Sequence, residues 1–191
     1  MKDQEWFNTV AGIVVVLVVV GGAAALLAAP TGSGTPQPNL GTSIPTAFRN
    51  LTISYVPSEG GFDYSSLELS VPLHVRVVFT ITNFDPSTAA LPTASDAQVS
   101  GTYDGAMSYS VGGTSAVLGQ LPAGEVSHTF SMSNAFYHLN VPVPAAPTGA
   151  TPVRVVFSVV FDTPGTFTWG CVALCDPAAM DAAMWGHLTV A

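Results

Sequence analysis

The stretch "TFTWGCVALCDPAAMDAAMWGHLTV", residues 166–190, decides how the chain is read. Its first six residues alternate, so Phe167, Trp169 and Cys171 share one face of an extended strand. The polypeptide then leaves that strand into a loop with Cys175, Asp176, Met180 and Asp181. Met184 opens a final strand, "WGHLTV". Both cysteines of the chain and two of its five methionines therefore lie around one strand–loop–strand unit. Thiolate and thioether are soft donors that select transition metals over magnesium or calcium.

Outward from this unit the same period-2 pattern recurs. Residues 50–56 (NLTISYV), 66–71 (SLELSV), 74–84 (HVRVVFTITNF), 125–133 (EVSHTFSMS), 136–143 (FYHLNVPV) and 153–161 (VRVVFSVVF) read as strands, β-branched or alternating and separated by turn residues. Residues 86–119 read as loop, with weak strand signals at 98–103 and 107–111. No convincing amphipathic helix occurs after residue 48. Eight or so short strands with Pro- and Gly-rich turns predict an all-β sandwich or barrel.

The beginning of the chain differs. Residues 6–48 carry no charge, and within them the apolar run at residues 7–29 is long enough to cross a bilayer of roughly 30 Å as a helix. The run exceeds the apolar core of a secretory signal, and Lys2 is outweighed by Asp3 and Glu5, so a retained anchor is expected. Residues 30–47, rich in Pro, Gly, Ser and Thr, read as a linker. The expected organisation is an anchor at 1–29, a linker at 30–47 and an extracytoplasmic domain at 48–191.

Charged residues make up 8% of the chain, and the formal net charge is −8. Lys2, Arg49, Arg76 and Arg154 cannot form a basic patch, which excludes nucleic-acid binding. No phosphate-binding glycine loop, zinc spacing or nucleophile elbow is present, so no catalytic residue is assigned. Asn50-Leu51-Thr52 matches the N-glycosylation acceptor pattern, a short match that recurs by chance.

"FDTPGTFTWGCVALC" followed by "MWGHLTV" resembles the end of a cupredoxin domain, and most of all subunit II of haem–copper oxidases. In that family the last loop reads C-x-x-x-C-x-x-x-H-x-x-M and holds a binuclear copper centre, with a further histidine from an upstream H-x-F-x-V strand. The resemblance implies a cupredoxin-like Greek-key β-sandwich behind one N-terminal transmembrane helix. It implies copper, CuA-like or mononuclear, with Cys171 and Cys175 as thiolates, Ala173 supplying a carbonyl, His138 of "HLNV" as the imidazole and Met184 as the methionine. The loop histidine of the family is absent, and Met180 stands as a soft substitute. His187 has the opposite parity to Met184, and His74 and His128 read as surface or strand residues.

Two cysteines in an extracytoplasmic domain are equally consistent with a disulfide, which would exclude the binuclear centre. The resemblance thus implies a membrane-anchored accessory subunit of a terminal oxidase, either passing electrons or metal-free and structural. Its expected partners are subunit I or other integral membrane subunits, with an electron-donor protein or quinol as the electron source. The single anchor and the "MW" ending are also similar to sulfocyanins, which implies the alternative of a stand-alone blue-copper carrier. A non-redox surface or assembly protein of the same fold is the third alternative.

Overall fold

A computed structural model describes residues 44–56, 61–147, 151–174 and 184–191. Eleven strands form among them: β1 (Thr46–Val56), β2 (Gly61–Tyr64), β3 (Glu68–Val71), β4 (Arg76–Asn83), β5 (Met107–Val111), β6 (Thr114–Leu118), β7 (Val126–Ser133), β8 (His138–Pro144), β9 (Val153–Val160), β10 (Gly165–Gly170) and β11 (Trp185–Val190). They make a six-stranded sheet in the order β2-β1-β4-β9-β5-β6 and a five-stranded sheet in the order β3-β11-β10-β7-β8. Two neighbouring pairs, β1 with β4 and β3 with β11, run parallel. The other pairs are antiparallel.

Alternation explains which side of each strand is buried. In β4 the odd-numbered Val77, Phe79 and Ile81 are buried, and in β9 Val153, Val155, Phe157 and Val159 are buried. Across the sandwich they meet β7 and β10. Phe79 lies 5.3 Å from Phe130 and stacks on Phe157 at 5.1 Å, while Phe130 stacks on Trp169 at 4.6 Å, all between ring centroids. Offset aromatic contacts of this kind add to the stabilisation from burial alone. They join the two sheets into one core.

The segment expected to be loop, 86–119, holds more structure than its composition indicates. Met107–Val111 is a strand, as its weak signal suggests, and it turns back at once into β6. The turn is Gly112-Gly113, with φ of 56° and 84°. Positive φ at both central residues is what a tight hairpin turn requires, and glycine adopts it without strain. Residues 98–103 form no strand and instead make single bridges, Gln98 to Gln120 and Ser100 to Asn140. The short β2, hydrogen-bonded to β1 at the sheet edge, is also new relative to the sequence reading.

Among the described residues no helix is long and apolar enough to cross a membrane. The expected anchor at 1–29 and most of the expected linker lie outside the described residues.

Replacing Phe130 by Ala removes the ring that touches Phe79, Phe157 and Trp169. The unfolding free energy is expected to fall by about 3–5 kcal/mol, read from denaturant titration. Val117→Ser, on the exposed strand β6, should change it by less than about 0.5 kcal/mol.

Candidate metal centre

The end of β4 builds the first part of the site. Asn83 is fully buried; its side-chain oxygen accepts the Asp85 N–H at 2.9 Å, and its amide donates to the Pro144 carbonyl at 2.9 Å. The Asp85 carbonyl accepts Ala146 N–H at 2.7 Å, and its Oδ1 accepts Ser87 N–H at 2.8 Å. The chain is thus pinned where it leaves the sheet, and Asp85 Oδ2 is directed inward. It meets His128 Nε2 at 2.8 Å.

His128 comes from β7. Phe130 and Met132 share its parity and pack in the core, so alternation turns the imidazole inward as well. The β7–β8 register shifts between Val126 and His128, an irregularity that re-aims the side chain locally. The ring is 1% exposed and its partner carboxylate 8%. Burial alone would strip the charge from both groups. The pairing wins: burial disfavours the imidazolium, but the hydrogen bond to Asp85 and the contact with Cys171 push His128 up to about 9. Burial likewise pushes the Asp85 carboxyl up, but His128 and the Ser87 amide outweigh it and hold the group below the ordinary carboxylate range.

Cys171 follows β10 and inherits the inward face of Trp169. Its sulfur accepts Thr129 N–H at 3.3 Å and lies 3.9 Å from His128 Nδ1 and 3.7 Å from the Ala173 carbonyl oxygen. Its own N–H donates to the Met184 carbonyl at 3.0 Å, so β11 closes the loop directly behind it. Thr129 Oγ1 accepts Val172 N–H at 2.8 Å, and Leu174 N–H donates to the Ala90 carbonyl at 2.8 Å. The backbone amides of Cys171, Val172 and Leu174 are therefore each fastened to a neighbouring strand or loop. Asp85, His128 and Cys171 form one buried line, carboxylate to imidazole to sulfur.

The sequence reading placed the imidazole at His138. The structure puts His138 on the surface, as the first residue of β8 opposite Ser133. That is five residues along the sheet from His128, about 17 Å at strand rise. The geometry brings His128 to the cysteine instead. Two signals in the sequence point to it. His128 shares the parity of Phe130 and Met132, and His128-Thr129-Phe130 fits the H-x-F part of the family pattern, whereas Asn140 occupies the aromatic position after His138. Asp85 carries no such local mark.

Met184 lies half-buried against the core at the start of β11. His187 is exposed and pairs with Glu68 at 3.0 Å, on the face away from the core. His74 is exposed in a turn with φ of 56°. Cys175, Met180 and the Cys171–Cys175 disulfide fall on residues outside those described. Among the described residues no cluster of three or more His, Cys, Asp or Glu is set to hold a metal ion. A copper site here would therefore need further ligands, from Met184 or from residues outside those described. The part that is described fits copper: one imidazole nitrogen is committed to Asp85, the other faces the Cys171 sulfur, and that sulfur has the Ala173 carbonyl beside it.

No family model matches the chain, and no curated protein matches it. Several solved structures are similar in fold. A multicopper oxidase from Campylobacter jejuni is 14% identical with a TM-score of 0.42; the match covers 78% of this chain and 30% of that one. Reduced rusticyanin is 13% identical with a TM-score of 0.40, covering 76% of this chain and 83% of that one. Rusticyanin from Thiobacillus ferrooxidans is 12% identical with a TM-score of 0.38, covering 76% and 80%. These are distant likenesses, and they leave the chemistry to be read from the residues of this chain.

The buried pair sets a pH dependence. His128's folded value of about 9 stands above its ordinary 6.5, so its stabilisation is complete below pH 6.5 and is lost as pH rises through 9. Asp85's folded value lies below 3.8, so its share is present above that pH and is lost only as pH falls through the lower folded value. The reduced, metal-free protein should therefore lose stability between pH 6.5 and 9, by a few kcal/mol. Denaturant midpoints across that range should slope downward, and His128→Gln should flatten the slope.

Proposed function

We propose that the chain is a membrane-anchored, cupredoxin-like subunit of a respiratory terminal oxidase, with copper held in part by His128 and Cys171. The observation that carries this reading is the 3.9 Å approach of His128 Nδ1 to Cys171 Sγ, with His128 Nε2 already committed to Asp85. A metal-binding histidine needs its second nitrogen fixed by an outer partner, and a carboxylate both orients the ring and makes it a stronger donor. A disulfide kept only for its shape needs no buried imidazole at this distance and no carboxylate behind it.

Each residue has a stated part. Asp85 holds the imidazole against rotation. Thr129 N–H and the Ala173 carbonyl fix where the sulfur points. Metal binding at Nδ1 and Sγ replaces protons, so uptake releases them. Cys175, Met180 and Met184 are the candidates for completing the ligand set. Bound copper would supply one-electron chemistry. The protein contributes a site mounted on two sheets, where little reorganisation accompanies a change of charge. Reduction of oxygen would belong to the partner haem–copper subunit, and the electrons would come from a donor protein or quinol.

The test uses the full chain purified in mild detergent. Thiols are counted, Cu(II) is added to the reduced protein, and visible and EPR spectra are recorded. A sulfur-to-copper charge-transfer band is expected, abolished by Cys171→Ser and His128→Gln and unaffected by His138→Gln. No coloured species in the reduced wild type would overturn the copper reading in favour of a metal-free structural subunit. Co-purification of a haem-containing membrane subunit checks the assignment to an oxidase.

A further inference from the structure

Strand β1 turns Leu51 and Ile53 into the core, where they are 1% and 0% exposed. Alternation therefore sends Phe48, Asn50 and Thr52 to the outer face of the six-stranded sheet. Phe48 is 66% exposed, a large ring left in water on a regular strand. Asn50 is exposed beside it, about 7 Å along the same face at strand rise. Among the described residues its carboxamide has no hydrogen-bond partner. The outward positions of β1, namely Thr46, Phe48, Asn50, Thr52 and Ser54, include no charged side chain. Directly across on β4 the register partner of Asn50 is Thr80, also uncharged.

These residues read Phe-x-Asn-x-Thr. The last three positions form the acceptor pattern for N-linked glycan transfer, in which the hydroxyl two residues after the asparagine is recognised. The aromatic ring two residues before it is placed by the strand's own period on the side where the first sugar would lie. A pyranose presents a face of C–H groups, and these pack on the negative face of an aromatic ring as other polarised hydrogens do. A short acceptor pattern alone recurs by chance. Here it coincides with an otherwise uncovered phenylalanine on the same face.

We propose that Asn50 is N-glycosylated and that the first sugar of the glycan stacks on Phe48. The donor is a sugar chain carried on a lipid phosphate or pyrophosphate. The carboxamide nitrogen attacks the anomeric carbon and a C–N bond forms. The bond from that carbon to the phosphate oxygen breaks, and the phosphate leaves with the electron pair. The nitrogen gives one proton to a base of the transferase, and nothing is oxidised or reduced. Asn50 pairs with Thr80 of β4, while β2 pairs with β1 only from Ile53 to Val56, so the strand at Asn50 is bonded along one edge. The inference rests on the extracytoplasmic placement proposed above, where such transferases act.

The experiment isolates the full chain from the membranes of its own source cells and maps the peptide containing Asn50 by mass spectrometry. A hexosamine-bearing mass on Asn50, absent from Thr52→Ala, is expected. Enzymatic or chemical removal of the glycan should lower Tm by about 2–4 °C in wild type and leave it unchanged in Phe48→Ala. An unmodified Asn50 in a domain that protease reaches from outside intact cells overturns the glycan alone. An unmodified Asn50 in a protected domain overturns the extracytoplasmic placement and the glycan with it. A glycan whose removal costs the same Tm in Phe48→Ala overturns the stacking on Phe48.

Discussion

The ion pair between Asp85 and His128 is the constraint around which one end of this sandwich is arranged. Two charges are held almost without solvent, and each would be driven neutral if the other were absent. They persist because every remaining polar group of Asp85 is used: Asn83 and Ala146 take its backbone, and Ser87 takes its second carboxylate oxygen. Asp85 follows β4 of the six-stranded sheet and His128 belongs to β7 of the five-stranded sheet. The pair therefore clasps the two sheets together beyond the aromatic core, beside the backbone bond from Ala146 to the Asp85 carbonyl. Removing one partner would leave the other a neutralised, buried polar group without that hydrogen bond, a larger penalty than losing the attraction itself.

From that clasp the placement of sulfur follows. His128 fixes the position of Thr129, and the Thr129 amide and hydroxyl receive Cys171 and Val172. Tyr64 adds a hydrogen bond to the Thr129 carbonyl from the opposite sheet, at 3.0 Å. Trp169, stacked on Phe130, sets the face from which Cys171 emerges. The cysteine is thus oriented by core packing on one side and by a polar lattice on the other. Charge, packing and hydrogen bonding all converge on the geometry of one sulfur atom.

Much of this was legible in the chain before folding, and the reasons it was or was not are specific. Alternation within single strands marked β4, β7, β9, β10 and β11, and it put Trp169 and Cys171 on one face. It also carried the parity of His128 and the H-x-F match of His128-Thr129-Phe130, but the Ser and Thr residues on the other face of that strand make it read as an ordinary half-exposed strand. Asp85 is 43 residues from His128, and only the crossing of strands brings them together. His138 looked suitable because it opens a strand of the expected composition, yet strand-end position and outward parity leave it in solvent. The β5–β6 hairpin turned on two glycines whose significance is a dihedral angle rather than hydropathy. Composition in residues 86–119 reads as loop because β6 is small, uncharged and half-exposed.

The parallel pairing of β1 with β4 has a consequence for how the domain can be used. Thr46 is in register with Arg76, at the start of β4, while Asp85 lies just beyond its other end. Eight residues of strand, about 26 Å, separate the two. Ala191 returns to that same starting pole, where its carbonyl accepts Leu73 N–H at 3.0 Å. Any polypeptide joined before Thr46 or after Ala191 therefore departs from one pole, and the sulfur and imidazole occupy the other. A sandwich wired in this way is a cartridge: it can be appended to, or spliced between, unrelated segments without its reactive pole having to accommodate the splice.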